Sequence, residues 1–231
     1  MNIVITGASR GIGYELVKKM SADRSNFVFA VSRDAQKLEE LKKVCGDNVA
    51  VVAADLSDEN ATQRLFSEIK RRNISVHYVV NNAGALVNKP FMEITRTDLE
   101  YVYNVNVFAV VSLLQGLIPL MDKQMLCHVV NISSMGGFQG SAKFAGLSAY
   151  SSGKAALACL TECLAEEFRG QNIAFNCLAL GAVQTEMLEN AFPGYKAPVT
   201  ASEMASYIAD FVTNAHKVMN GKVIPVSLST P

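Results

Sequence analysis

Along this chain, short runs of β-branched and apolar residues alternate with longer stretches in which apolar positions recur at helical spacing. The runs 2–6 (NIVIT), 26–32 (NFVFAVS), 49–54 (VAVVAA), 76–81 (VHYVVN), 126–132 (LCHVVNI), 172–179 (NIAFNCLA) and 222–227 (KVIPVS) predict strands. Most are apolar at consecutive positions, so both faces of each strand require cover, as in a parallel sheet between two helical layers. The stretches near 11–22, 34–45, 58–72, 96–121, 149–169 and 200–214 predict helices. Thr95 with Asp98 and Thr200 with Glu203 have capping-box spacing at two of their starts.

Strand–helix alternation of this kind predicts βαβ units in an α/β fold, a doubly wound parallel sheet of about seven strands with helices on both faces. No linker, low-complexity tract or repeat interrupts it, so residues 1–231 are expected to form a single domain. Composition agrees: 231 residues, half of them apolar, suffice for a substantial core. The 21 basic and 21 acidic residues cancel, and neither nucleic acid nor an acidic membrane surface is an expected partner. The first strand begins at Asn2, where a leader would place a charged segment and an apolar core, and no continuous apolar run reaches the ~20 residues of a membrane span.

The five cysteines, Cys45, Cys127, Cys159, Cys163 and Cys177, are odd in number and form no C-x-x-C pair. Cys159 and Cys163 lie four apart in an apolar helix and are expected to be buried thiols, so a cytoplasmic, reducing setting follows. His77, His128 and His216 are scattered and suggest no metal site.

The first strand runs into Thr6-Gly7-Ala8-Ser9-Arg10-Gly11-Ile12-Gly13, followed by a helix. Glycines there let the backbone bend and approach a pyrophosphate, and the helix start offers N–H groups and partial positive charge. At the end of the second strand, a binder of NAD places an acid for the ribose 2′-hydroxyl. Here Ser32 is followed by Arg33 and Asp34. Arg33 and Arg10 could together surround a 2′-phosphate, which favours NADP(H), with NAD(H) as the other possibility. Asp34 opposes this if it pairs with Arg33 or approaches the ribose.

Tyr150 and Lys154 lie four apart at the start of the fifth helix, on one face. A nearby ammonium favours the phenolate and makes a tyrosine useful in acid–base chemistry. Tyr14 and Lys18 have the same spacing, but their helix serves the glycine loop, and packing or surface is the expected role of Tyr14. Ser133 and Ser134 end the fifth strand, and Asn81-Asn82-Ala83-Gly84 ends the fourth, where ligands of doubly wound sheets bind.

TGASRGIG at 6–13, Asp55-Leu56, NNAG at 81–84, Asn106, Ser134, and Tyr150 with Lys154 occur in that order. With these motifs the chain resembles the short-chain dehydrogenase/reductase family over nearly its whole length. The resemblance implies a Rossmann-type fold and an NADP(H)-preferring, carbonyl reductase-like oxidoreductase. Tyr150 would exchange the proton, Ser134 would hold the substrate oxygen, and Lys154 would lower the Tyr150 pKa and hold the nicotinamide ribose. Asn106 would anchor a water that relays protons toward Lys154. Gly7, Ser9, Arg10, Gly11, Ile12 and Gly13 would cradle the phosphates, with Ser32 and Arg33 at the 2′-position. Asp55 and Leu56 would lie at the adenine, Asn82, Ala83 and Gly84 along the groove, and Gly181, Val183 and Thr185 at the nicotinamide. The choice of Ser134 over Ser133 follows family register.

Three departures stand out. Leu180-Gly181 replaces the Pro-Gly usual after the sixth strand, the Ser134–Tyr150 interval is enlarged by a loop at 135–147, and with Pro231 soon after the last predicted strand no C-terminal lid is expected. The segment 186–199 falls at the family's substrate loop. Met187, Leu188, Phe192 and Tyr195, with Phe138, Phe144 and Leu86 opposite, suggest an apolar pocket for a small ketone, aldehyde or diketone. Lys143 and Lys196 are the basic residues nearby, too few for a carrier-protein or CoA handle. The resemblance also implies a homodimer or homotetramer packed through the fourth and fifth helices. A nucleotide-sugar epimerase would need a further sugar-binding domain. A catalytically silent cofactor-sensing regulator is the alternative from another class.

Overall fold

The structure, a computed structural model, describes residues 1–58 and 61–228. Six strands come first in the chain: β1 (Asn2–Thr6), β2 (Phe27–Ser32), β3 (Val49–Ala53), β4 (Tyr78–Asn81), β5 (Cys127–Ser134) and β6 (Ile173–Leu180). A two-residue parallel pair, β7 (Val183–Gln184) with β8 (Val199–Thr200), precedes the last strand, β9 (Lys222–Val226). The helices are α1 (Gly11–Ser21), α2 (Ala35–Cys45), α3 (Thr62–Arg72), α4 (Arg96–Tyr103), α5 (Ala109–Leu117), α6 (Ser148–Glu167), α7 (Glu186–Ala191) and α8 (Ala201–Asn214).

Seven strands form one sheet in the order β3-β2-β1-β4-β5-β6-β9, every pair parallel. Successive side chains of a strand point to opposite faces, which explains why the strand runs had to be apolar throughout. Ile3 and Ile5 pack with Leu16 of α1, Leu38 of α2 and Ile208 of α8. Val4 packs on the other face with Leu65 of α3, Leu113 of α5 and Leu157 of α6. All eight residues of β6 are buried.

From β1 the chain winds outward through β2 and β3, then returns to β4 on the other side of β1. Connections diverge at this reversal, and a crevice opens beyond the carboxyl ends of β1 and β4. Side chains stitch its floor. The Thr6 hydroxyl accepts from the N–H groups of Asn82 and Ala83, both at 3.0 Å, and the Asn82 amide donates to the Thr6 carbonyl at 3.0 Å.

Both capping boxes form as the spacing predicts, at Thr95/Asp98 and Thr200/Glu203. Other expectations need correction. The helix expected over 96–121 is broken by a π-turn at Asn104–Phe108, in which the Ala109 N–H reaches the Asn104 carbonyl, and ends in a 3₁₀ turn at Ile118–Leu120. A single inserted residue leaves too weak a trace in hydrophobic periodicity to be read from it. By length and mean hydropathy (1.5), Arg96–Leu120 could cross a membrane. Here its α5 part packs on the sheet through Val110, Leu113, Leu114 and Leu117, and its α4 part packs on α6, with Val102 buried.

The helix expected from 58 begins at Thr62, and its positions 59 and 60, like Pro231, lie outside the described residues. Cys159 and Cys163 are exposed, not buried. The inward stripe of α6 is Gly153, Lys154, Leu157, Ala158, Thr161 and Ala165, which leaves the two thiols facing out. The histidines are less scattered than their spacing suggests: the His128 and His216 rings pack 5.1 Å apart between β5 and the end of α8. Among the described residues, no group of three or more metal-ligating side chains gathers.

Candidate active site

The first turn of α1 opens directly beneath the crevice. Its N-cap, Arg10, makes no side-chain cap hydrogen bond, and no acidic residue occupies the first turn. The opening N–H groups therefore point into the cleft, a natural seat for an anion. The loop needs its glycines for two reasons. Gly7 has φ +69°, a left-handed backbone, and a Cβ on Gly13 would lie 2.3 Å from the Gly7 carbonyl oxygen.

A cleft of about 880 Å³ runs from this loop across the sheet edge. At one end stand Ser32, Arg33, Asp55 and Leu56; along the floor lie Gly7, Ser9, Arg10, Gly11 and Ile12 on one side and Asn82, Ala83 and Gly84 on the other. At the far end Gly181, Val183 and Thr185 face Ser134, Tyr150 and Lys154. Gly13 and Asn106, also singled out in the sequence, stand behind the lining. Asn106 is wholly buried, accepting from the Ala85 N–H at 2.9 Å and donating to the Ala85 carbonyl at 2.8 Å. Asp34 does not pair with Arg33: it lines the cleft beside Ser32 and caps α2 by accepting from the Lys37 N–H at 3.0 Å.

Two serines at the end of β5 separate in role. Ser133 is buried and donates to the Lys154 carbonyl at 2.8 Å, fastening α6 to the strand. Ser134 opens to the cleft beside Tyr150 and accepts from the Gly136 N–H at 3.2 Å. Burial pushes the Tyr150 phenol above its ordinary pKa, and the Ser134 contact pulls the other way. The phenol thus keeps its proton at neutral pH. The Lys154 ammonium is not aimed at that oxygen. It donates to the Ile132 carbonyl at 2.8 Å and lies 6.0 Å from the centre of the Tyr150 ring. Burial lowers Lys154 to about 8, with the nearby Cys177 thiol opposing the shift.

Three loops close the far end. Met187, Leu188, Phe192 and Tyr195 line it from the α7 segment, with Leu86 and Phe144 opposite, while Phe138 lies outside the lining. The pairing of β7 with β8 closes the base of the α7 loop, and two contacts cross from α7 to its neighbours. Arg10 meets Glu186 at 2.7 Å, and the Asn88 amide donates to the Ala191 carbonyl at 2.9 Å. Sequence reasoning overlooked Glu186 and Asn88. Neither belongs to a motif, although Thr185, which caps α7 by accepting from the Leu188 N–H, marks a helix start beside Glu186. The second Tyr/Lys pair is at the surface: the Lys18 ammonium lies 5.4 Å over the Tyr14 ring and pairs with Glu15 at 3.0 Å.

A family model described as short chain dehydrogenase matches residues 1–196. The chain is 32% identical over 190 residues to the fatty acyl-CoA reductase of Acinetobacter baylyi, which covers 80% of this chain. It spans 63% of that relative's length, less than two thirds. A short chain dehydrogenase from Burkholderia cenocepacia in complex with NADP has the same fold, at TM-score 0.86 and 24% identity over 97% of this chain and 95% of the other. So does a 3-ketoacyl-(acyl-carrier-protein) reductase from Brucella melitensis complexed with NADH, at TM-score 0.87 and 23% identity over 97% and 96%. The fold alone therefore does not choose between the two nicotinamide cofactors. The chain belongs to the short chain dehydrogenase family, whose members are NAD(P)-dependent oxidoreductases.

Proposed function

We propose that the protein interconverts a small, fairly apolar ketone, aldehyde or diketone and its alcohol, using NADP(H), with Tyr150 as the acid–base group. The observation that carries this reading is the meeting of Tyr150, Ser134 and Lys154 in the cleft that begins at the glycine loop. A dinucleotide fits the residues present. The loop leaves no room for a Cβ at Gly13, and the uncapped start of α1 offers donors to a pyrophosphate. Ser9, Gly11 and Ile12 would hold that group, Ser32, Arg33 and Arg10 the adenosine ribose and its 2′-phosphate, and Asp55 and Leu56 the adenine. Asn82, Ala83, Gly84, Gly181, Val183 and Thr185 would flank the nicotinamide half. When bound, the cofactor supplies or accepts the hydride.

The chain does the rest. Ser134 donates to the substrate oxygen and stabilises charge developing there. The protonated Tyr150 phenol gives its proton to that oxygen in reduction and recovers it in oxidation. Lys154, three-donor and buried, would hold the nicotinamide ribose while donating to the Ile132 carbonyl. Asn106, with both ends of its amide taken by Ala85, holds the turn after β4 against Lys154, which narrows its expected part as a water anchor. The apolar side chains of the α7 loop exclude water and select the substrate. Among the described residues, Lys143 and Lys196 stand exposed near the mouth.

We also infer a cytoplasmic homodimer or homotetramer packed through α4, α5 and α6. Exposed Tyr101, Phe108, Cys159 and Cys163 on those helices support it, and a solution species of one chain's mass by light scattering would end it. The catalytic reading is tested with NADPH and NADH against a panel of ketones, aldehydes and diketones, wild type beside Tyr150→Phe. The variant should lose roughly 10²–10⁴-fold in turnover while binding NADPH as before. Equal turnover in the variant would overturn the assignment.

A further inference from the structure

The guanidinium of Arg10 faces a choice between two anions on opposite sides of the cleft. Its neighbour Ser9 is tied to the end of β2, where the Ser32 hydroxyl donates to the Ser9 hydroxyl at 2.8 Å. That is the strand end beside which the 2′-position of an adenosine ribose would lie. Arg10 nevertheless turns toward α7 and pairs with Glu186 at 2.7 Å, with the two side chains 47% and 51% exposed. The second basic group is engaged more loosely: Arg33 approaches Asp55 at 3.9 Å, and Asp55 already accepts from the Ser57 N–H and hydroxyl through its other oxygen. Of the two arginines, Arg10 is thus the one a carboxylate of this chain holds in full contact.

We propose that Glu186 is a selectivity residue for the cofactor: its carboxylate competes with a 2′-phosphate for Arg10. A guanidinium offers its paired donors to one planar or tetrahedral anion at a time at full strength. A 2′-phosphate that recruits Arg10 must first separate it from Glu186, and it then meets an unneutralised carboxylate across the cleft. A ligand without that phosphate leaves the pair intact. The carboxylate therefore weakens NADP(H) binding and leaves NAD(H) binding unaffected, so that the protein's preference is milder than two arginines alone would set. The same exchange releases the N-terminal end of α7, while Asn88 still holds its other end through Ala191. This inference refines the NADP(H) reading above and concerns the strength of that preference.

The test uses ligands that need no turnover. Calorimetry with adenosine 2′,5′-bisphosphate and with 5′-AMP, which differ only in the 2′-phosphate, is run on wild type and Glu186→Gln. Exposed ion pairs of this kind contribute modestly, so the bisphosphate should bind about two- to fivefold tighter to the variant. Binding of 5′-AMP should not change, and the gain should vanish when Arg10→Met is added. Unchanged or weaker bisphosphate binding, an equal gain for both ligands, or a gain that survives Arg10→Met would each overturn the proposal. A wild type indifferent to the 2′-phosphate counts against the NADP(H) reading alone; the Glu186→Gln increment still decides this one.

Discussion

At the β1–α1 end of the cleft the backbone makes the site, whereas at the α7 end side chains from three loops make it. The glycine loop presents N–H groups whose positions follow from φ at Gly7, from the contact of Gly13 with Gly7, and from the Thr6–Asn82 stitching. Little about it can change without moving main chain. The substrate mouth has no such constraint. Leu86, Phe144, Met187, Leu188, Phe192 and Tyr195 come from separate connections, held together by packing and by a few ties, among them the Asn88–Ala191, Arg10–Glu186 and Lys89–Gly146 contacts. A site made of main chain serves one ligand class in every relative, while one made of loop side chains is free to serve many.

The contrast breaks first at Gly13. A methyl group there collides with the Gly7 carbonyl oxygen and, at 2.6 Å, with the Asn82 amide, so two main-chain segments must part. Gly13→Ala should weaken NADPH binding by at least about 100-fold and cost about 1–3 kcal/mol of stability, read by calorimetry and urea unfolding. Retained binding would mean that the loop is far more plastic than its contacts indicate.

Lys154, where the two halves meet, gives the next effect. Its folded pKa of about 8 lies below the ordinary 10.5. Below pH 8 the folded and unfolded chains both carry the proton, and Lys154 contributes no pH dependence. Between 8 and 10.5 the unfolded chain holds more proton, so stability rises with pH by up to about 1.4 kcal/mol per unit. In the cofactor-free protein, wild type should gain on Lys154→Met across that window, as followed by urea unfolding. A constant difference would mean that the ammonium is better solvated than its burial implies.

The smallest effect belongs to the mouth. Phe192→Ala removes one wall and should raise KM for an apolar carbonyl about tenfold, with kcat and NADPH affinity within about twofold of wild type. Loss of NADPH affinity here would mean that Phe192 also shapes the dinucleotide half of the cleft.

The same division decides what could be read from the chain before its structure. The order of the strands was not legible, whereas the strands of the main sheet, their parallel α/β arrangement and the glycine loop were, because each depends on residue type at local spacing. Both capping boxes were legible for that reason. Cys159 and Cys163 were misread because an apolar helix does not announce which stripe faces out, and only the contacts of Leu157 and Thr161 orient α6. Asn88 and Glu186 belong to no motif, and each acts on a residue distant in the chain, so their contacts could not be read from local spacing. The expected effect of Lys154 on the Tyr150 phenol assumed that i, i+4 neighbours aim at one another. Its ammonium instead reaches the Ile132 carbonyl, a partner supplied by the sheet.

The π-turn at Asn104–Phe108 has a bearing on how this chain is aligned and engineered. An α-helix advances by about 100° per residue, so one residue added or removed turns everything beyond it by that angle. Here Val102, before the turn, lies against Gly153 of α6, while Val110, Leu113, Leu114 and Leu117, beyond it, pack on the sheet. A gap placed a few positions away in an alignment would assign every later side chain of this run to the wrong face. Trimming one residue within 104–108 would restore regular winding at the expense of Asn106, whose amide clasps Ala85 from the turn itself. The run therefore has one point at which its length is adjustable by a single residue, and that point sits against the active site.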